Sequence, residues 1–388
     1  LTTLSAETAD RAPLSADFLR RSALVLGLAL LGLAFRFAVF LLSGRDGGLI
    51  GFVDAHCVWD CDWYKSIIGT GYNREVGSPG DPERANWAFF PLYPSLVGAL
   101  VHGIGASPNL AGFLLSNLLT IGAAILARPL LSTERAYWFF VATLMIGPFS
   151  VLFSSLYTES LFVLLTVLTL LALRRSNYLL AAGWIALLSA TRITGVLMVF
   201  ALAVQVIVEH CKSGGRWRDL PMRVLRDSDL ILAIFLAPLG LFAFMAFLWL
   251  HTGDALAFSH IQRAWGRELE GPFSAIANVV GDGLTMDYYS LLQWSWVLVA
   301  LTGLALCVVL GLRQRLPEAI FCALSLLVSL SAGIGSMVRF VAGLVPLGMV
   351  TSELLTRRRW LSWVVLVEAI VLDAMVTIGW FNRSMLVM

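Results

Sequence analysis

Leu24-Val25-Leu26-Gly27-Leu28-Ala29-Leu30-Leu31-Gly32-Leu33-Ala34-Phe35-Arg36-Phe37-Ala38-Val39-Phe40-Leu41-Leu42 is apolar from end to end except at Arg36. A run of this kind, within residues 22–43, matches the roughly 20 apolar residues a helix needs to cross about 30 Å of hydrocarbon. It is too long for the apolar part of a secretory signal peptide and lacks a small-residue cleavage site, so it is expected to stay as an anchor. Comparable runs recur near 109–131, 136–153, 157–173, 177–191, 194–210, 229–250, 291–311, 317–334, 338–355 and 360–381. The expectation is therefore an all-α polytopic membrane protein with about eleven spans. Composition agrees: the 388 residues are 59% hydrophobic and 13% charged, with a mean hydropathy of +0.83, far from the balance of soluble domains.

Arginine placement orients the chain. With the N-terminus inside, Arg11, Arg20, Arg21, Arg128, Arg135, Arg174, Arg175, Arg216, Arg218, Arg223, Arg226, Arg313, Arg315 and Arg357 to Arg359 all fall on the cytoplasmic side, together with Lys212. This is the bias that cytoplasmic loops carry. It makes 1–21 a cytoplasmic segment and 22–388 one membrane domain, and it puts the loops 44–108 and 251–290 outside. The parity holds only if the apolar piece 89–104 is a surface or re-entrant helix rather than a span. The basic stretch 211–228 is expected to lie at the interface against anionic lipid. Few lysines and many arginines, with abundant Ala, Leu and Gly, fit a GC-rich bacterial genome.

Chemistry-bearing residues concentrate in the outer segments. Trp59-Asp60-Cys61-Asp62-Trp63-Tyr64 sets two carboxylates among aromatics, in a protein with few other places to keep them ionised. A carboxylate in such surroundings can accept a proton from a hydroxyl, whereas one of the pair, Asp62, can equally cap a helix or pair with Lys65 or Arg45. In Ser154-Ser155-Leu156-Tyr157-Thr158-Glu159-Ser160, a serine can cap the next helix with Glu159 in its first turn. Alternatively Glu159, directly before an apolar span, points into the protein and needs a partner. Arg36, Arg192, Arg263, Arg267 and Arg339 form a cationic set suited to phosphate oxygens, though Arg36 can also snorkel or pair with an acid. His260, Gln262 and Trp265 are of the types that hydrogen-bond and stack on sugars.

Cys57 and Cys61 admit a disulfide by compartment, but as a helical i,i+4 pair they are expected to sit too far apart for good geometry. A metal site with His56, Asp60 and Asp62 is the other reading, and it lacks the usual second pair of spaced ligands. The sequence contains no Walker loop, dinucleotide fingerprint, nucleophile elbow or His-Glu-x-x-His run, which argues against ATP-driven pumps, redox enzymes, serine hydrolases and zincins. Nothing points to nucleic acid.

Trp59-Asp60, Tyr64, Ile67, Gly71-Tyr72 and Phe89-Phe90-Pro91-Leu92-Tyr93-Pro94 resemble the first luminal loop of the GPI mannosyltransferase II (PIG-V-like) family of the GT-C glycosyltransferase superfamily. Later motifs agree in order: Tyr157-Thr158-Glu159-Ser160, Ala190-Thr191-Arg192-Ile193-Thr194-Gly195, the segment from Gly253 through Gln262, Trp265 and Arg267, and Ser336-Met337-Val338-Arg339-Phe340. The resemblance implies a GT-C fold and an inverting transfer of mannose from a polyprenyl-phosphate donor to an extracytoplasmic acceptor, in a bacterial plasma membrane. It matches Asp60 to the catalytic acid of the first outer loop, which would serve as general base. Arg192, Arg263, Arg267 and Arg339 become candidates for the leaving phosphate. Asp62, Tyr64, Tyr72, Glu159, His260, Gln262, Trp265 and Arg36 become candidates to bind sugar or acceptor or to support the site. Neither metal nor other cofactor is expected, and the acceptor, whether glycolipid, glycan or protein, stays open. The alternatives are a lipid-linked sugar transporter without transfer chemistry, which would favour internal inverted repeats that the sequence does not display, and a transferase using another lipid-linked sugar.

Overall fold

The computed structural model describes residues 16–77, 83–267 and 270–384. Every regular element among them is helical. α1 (Ala16–Leu42) runs from one end of a helical bundle to the other, where α2 (Gly48–Ala55), α3 (Cys61–Thr70) and α4 (Leu92–Ile104) form a cap. α5 (Pro108–Leu126) leads back, and α6 (Glu134–Ile146), α7 (Glu159–Arg174), α8 (Tyr178–Ser189) and α9 (Met198–Lys212) then alternate between the two ends. α10 (Leu220–Arg226) is a short surface piece, and α11 (Ser228–Leu236) with α12 (Leu239–Thr252) makes one further pass. α13 (Ala257–His260) and α14 (Ser274–Asp282) complete the cap, followed by α15 (Tyr288–Leu312), α16 (Leu316–Ser331), α17 (Met337–Gly343), α18 (Val345–Leu355) and α19 (Arg359–Phe381).

Every apolar run becomes helix, but the count of long spans is smaller than expected. Six helical stretches are long and apolar enough to cross a membrane, or seven if the α17–α18 pair, bent by 77°, is one span. The others are short for a reason visible in the chain. Gly147-Pro148 ends α6 after 13 residues, and the irregular Ala190–Arg192 step ends α8 after 12, lengths that rise only about 20 Å as helix. α7 is buried along nearly its whole length against α5 and α8, so protein rather than lipid surrounds it. α4, with 13 residues, is too short to span, as the parity argument required. α1 begins at Ala16, so the end of the proposed N-terminal segment is already helix, while residues 1–15, including Arg11, lie outside the described residues.

Helices in lipid gain little from apolar burial against one another, so close approach through small residues matters. Gly240 of α12 is an example: a Cβ there would stand 1.9 Å from the Ala186 carbonyl oxygen of α8. The same constraint shapes the break after α8, where a Cβ on Gly195 would meet the Leu188 oxygen at 2.2 Å. Only a glycine lets the chain fold back this tightly after Arg192.

The second break, between α6 and α7, places non-helical backbone inside the bundle, where every carbonyl needs a donor. Arg36 supplies one, donating to the Met145 oxygen at 2.8 Å, to Ser150 Oγ at 2.5 Å and to Ser154 Oγ at 2.9 Å. Hydroxyls do the rest: Ser116 Oγ donates to the Ser155 oxygen at 2.7 Å, and Thr120 Oγ1 and Ser160 Oγ reach the Phe153 oxygen at 3.2 and 2.9 Å. Arg36 therefore does not snorkel; it holds the turn that presents Glu159, and the acid it faces is Asp373, which accepts from the same Ser150 hydroxyl at 2.8 Å. Ser154 and Ser155 do not cap α7, whose preceding residue Thr158 makes no side-chain cap.

At the other end an ionic network collects the arginine-rich turns. Glu134 contacts Arg128 at 2.6 Å and Arg21 at 3.4 Å, Glu353 contacts Arg313 at 2.7 Å, and Glu318 contacts Arg315 at 3.0 Å. The end assigned to the cytoplasm by composition is thus one physical end of the bundle.

Candidate active site

The cap and three helix breaks meet around a cavity of about 210 Å³. Asp60 reaches it from the turn before α3, Arg192 from the α8 break, Arg339 from α17, and Gln262, Trp265 and Arg267 from the segment after α13. Tyr64, Phe89 and Phe90 form an aromatic wall beside them.

Charged groups form a continuous chain. Arg339 Nη1 donates to Asp60 Oδ2 at 2.6 Å, and Arg339 Nε lies 3.1 Å from Glu159 Oε1, close enough for charge contact though outside hydrogen-bond geometry. Arg192 Nη2 donates to the same Glu159 oxygen, while its Nε donates to Thr158 Oγ1 at 2.6 Å. Glu159 is fully buried, with its second oxygen unbonded. The inward-pointing reading of Glu159 is the correct one. Asp60 is more open, with a quarter of its side chain exposed (25%), and it lines the cavity.

Arg267 differs from the other two guanidiniums. Its nearest polar contact is Gln262 Oε1 at 3.4 Å, and among the described residues it has no carboxylate partner. Burial and the Arg339 charge lower its pKa, with Asp60 opposing them. Two carboxylates therefore face three guanidiniums, and one positive charge is left uncompensated. That balance suits an anion.

Tyr157 fixes the Asp60 turn. Its hydroxyl accepts from the Asp60 backbone N–H at 2.9 Å and donates to the Val58 oxygen at 2.7 Å, and its ring lies 5.3 Å from the Arg339 guanidinium carbon. Tyr64 packs edge-on against Tyr157, Tyr93 and Phe89, and burial raises its pKa far above the usual phenol range, so it stays neutral. Asn86 ties the wall in place through Asn73 and the Gly71 oxygen. Replacing Tyr157 by Phe removes both bonds to the turn, a loss of roughly 1–3 kcal/mol of local order. Because small misplacements of reacting groups are costly, the expected result is a transfer rate down by about tenfold or more with the protein still folded in detergent. An unchanged rate would show that the clasp does not position Asp60.

Cys57 and Cys61 form a disulfide across this turn, with Cα atoms 5.3 Å apart. The expectation of poor geometry assumed a helix through both residues; instead α2 ends at Ala55, Trp59 adopts φ +56°, and Cys61 opens α3. The bond also removes both thiols from the metal reading. His56 is turned away from the cavity, with Nδ1 donating to the Phe52 oxygen at 2.8 Å.

Other candidates lie outside the cavity. Asp62 is exposed and pairs with Lys65 at 3.2 Å. His260 is exposed and bonds Asp254 at 2.7 Å, lowering the Asp254 pKa. Arg263 is exposed and does not line the cavity. Tyr72 supports the wall from behind, donating to the Phe89 oxygen at 2.6 Å. Phe89, Phe90 and Ser259 also line the cavity, and Tyr157 and Thr158 support it from behind through their bonds to the Asp60 turn and to Arg192. All five stand inside motifs quoted from the sequence, but nothing in a motif says which member turns inward.

No family model matches the chain, and no curated protein matches it. Among solved structures, the crystal structure of ArnT from Cupriavidus metallidurans bound to undecaprenyl phosphate is similar over 94% of this chain and 77% of that one, with a TM-score of 0.52 and 13% identity. The likeness is one of fold: this chain shares the all-helical membrane architecture of ArnT.

Proposed function

We propose that this protein is an inverting glycosyltransferase that moves a sugar from a polyprenyl-phosphate-linked donor to an acceptor hydroxyl. The observation that carries this is the Asp60–Arg339–Glu159–Arg192 chain, with Arg267 uncompensated, on one wall of an aromatic-lined cavity. The donor phosphate binds toward Arg267, Arg339 and Arg192, and the sugar packs near Trp265 and Gln262. Asp60, held through Oδ2, accepts the acceptor's proton on its other oxygen as the acceptor oxygen attacks the anomeric carbon. The bond from that carbon to the phosphate oxygen breaks, and the released phosphate carries its added charge onto the guanidiniums. That ArnT, of similar fold, binds undecaprenyl phosphate supports a polyprenyl phosphate as the lipid.

The motif resemblance names mannose as the first donor to test and a glycolipid or glycan as the acceptor. It also favours a bacterial plasma membrane, with the N-terminus cytoplasmic and the cavity on the extracytoplasmic face, in line with the arginine-rich opposite end. The test is release of free polyprenyl phosphate from synthetic polyprenyl-phosphate-mannose by purified protein, with and without a native lipid extract. Extract-dependent release supports transfer, and fractionating the extract identifies the acceptor. Movement of an intact carrier across a vesicle without cleavage would replace the reading with a transporter.

Metal-free chemistry is part of the proposal, because each carboxylate of the cavity already contacts a guanidinium and arginines can take the leaving charge. Dialysis against EDTA is expected to leave the release rate within about twofold. A loss restored by a divalent cation would reject this point.

A further inference from the structure

The opposite end of the bundle holds a second cavity, of about 230 Å³, between the ends of α7 and α9 and the start of α16. It lies the length of α7, 16 residues or about 24 Å, from the Glu159 end of that helix. Arg174, Lys212 and Arg315 line it, with Glu209 and Glu318.

The acids are already engaged. Glu318 Oε1 lies 3.0 Å from Arg315 Nε and 3.6 Å from Arg174 Nη2. Glu209 accepts from Gln205 Nε2 at 2.5 Å, from Ser176 Oγ at 3.0 Å and from the Tyr178 hydroxyl. The bases are not. Both terminal nitrogens of Arg315 are buried without a hydrogen-bond partner; Glu318 bonds only its Nε, at 3.0 Å, and Glu353 lies 3.8 Å from Nη1. Lys212 is exposed and has no ion pair among the described residues. A buried guanidinium fork left open is costly unless an acceptor fills it, and two parallel N–H groups match two oxygens of a phosphate.

The surroundings indicate the source of that phosphate. The cavity adjoins the segment from Lys212 to Arg226, in which Arg216, Arg218, Arg223 and Arg226 alternate with the exposed side chains of Trp217, Met222 and Leu225. Exposed apolar groups set among arginines are the pattern of a segment lying in a headgroup layer. On α9 itself, Phe200 and Ile207 are exposed apolar side chains, available to acyl chains.

We propose that this cavity is a binding site for the headgroup phosphate of an anionic glycerophospholipid, with Arg315 and Lys212 as the phosphate ligands. The site is separate from the Asp60 cavity and does not depend on the function proposed for it.

The test is lipid retention by native mass spectrometry of the full chain, purified in detergent with phosphatidylglycerol, with phosphatidylcholine, or with inorganic phosphate. Wild type is expected to keep phosphatidylglycerol in preference to phosphatidylcholine by about tenfold or more. Lys212→Ala, which removes an exposed unpaired group, and Arg315→Lys, which keeps the charge but loses the fork, are each expected to reduce that retention severalfold. Release of polyprenyl phosphate is expected to stay unchanged in Lys212→Ala. Equal retention of both lipids, or retention unaffected in both variants, would overturn the site. Inorganic phosphate binding as tightly as phosphatidylglycerol would overturn the lipid assignment by pointing to a free phosphate.

Discussion

Asp60→Asn is expected to lower polyprenyl phosphate release by about 10²–10⁴-fold, the range supplied by a positioned general base, or about 2.7–5.5 kcal/mol of barrier. The amide keeps the size of the carboxylate and can still accept from Arg339, so the turn and the donor site should survive. Arg339 also retains Glu159 at 3.1 Å. The loss should therefore appear in the rate at saturating donor, with little change in donor binding. Asp62→Asn is the matched control, since Asp62 is exposed and touches only Lys65 among the charged residues described; its expected effect is within twofold. A release assay with both variants decides the matter. Full activity in Asp60→Asn with loss in Asp62→Asn would move the base to the other acid.

Glu159→Gln should act mainly on stability. Glu159 is fully buried between Arg192 and Arg339, whose side chains are only 14% and 16% exposed. Removing its charge leaves Arg192 without a carboxylate and pushes two guanidiniums against each other. Breaking a buried pair in this way costs about 3–5 kcal/mol, so the unfolding temperature in detergent should drop clearly. A phosphate in the adjoining cavity restores part of the missing negative charge. Added polyprenyl phosphate is thus expected to raise the unfolding temperature of Glu159→Gln more than that of wild type. If the variant unfolds at the wild-type temperature, Glu159 serves the substrate rather than the frame.

Much of this arrangement was legible in the residues, and the limits were geometric. Apolar runs located the helices because lipid demands both apolar length and internal hydrogen bonding. Which passes would be shortened depended on breaks at Pro148 and Arg192, whose depth in the bundle is a matter of packing. Residue type marked Asp60, Glu159, Arg192 and Arg339 as expensive charges in an apolar chain, yet Asp60 and Arg339 are 279 residues apart, and no spacing rule brings them together. Arg263 and Arg267 show the limit more sharply. Gly266, at φ +66°, ends the short helix between them, so one arginine faces solvent and the other the cavity. The clasp of Tyr157 is not legible, because a tyrosine in a polar turn carries no mark of which backbone it will hold. Four-residue spacing argues against the disulfide only on a continuous helix, and Trp59 interrupts the helix between the two cysteines.

That disulfide has a consequence for how the protein comes into being. The bond between Cys57 and Cys61 brackets Asp60 and closes only where thiols are oxidised, which excludes the compartment of synthesis in most cells. On the role proposed for Asp60, a newly inserted chain with its helices formed would stay idle until the Cys57–Cys61 turn meets an oxidant. Protein made in a reducing extract would then be correctly embedded and inactive until it is oxidised. The timing of activity would be set by the cell's thiol-oxidising machinery rather than by translation.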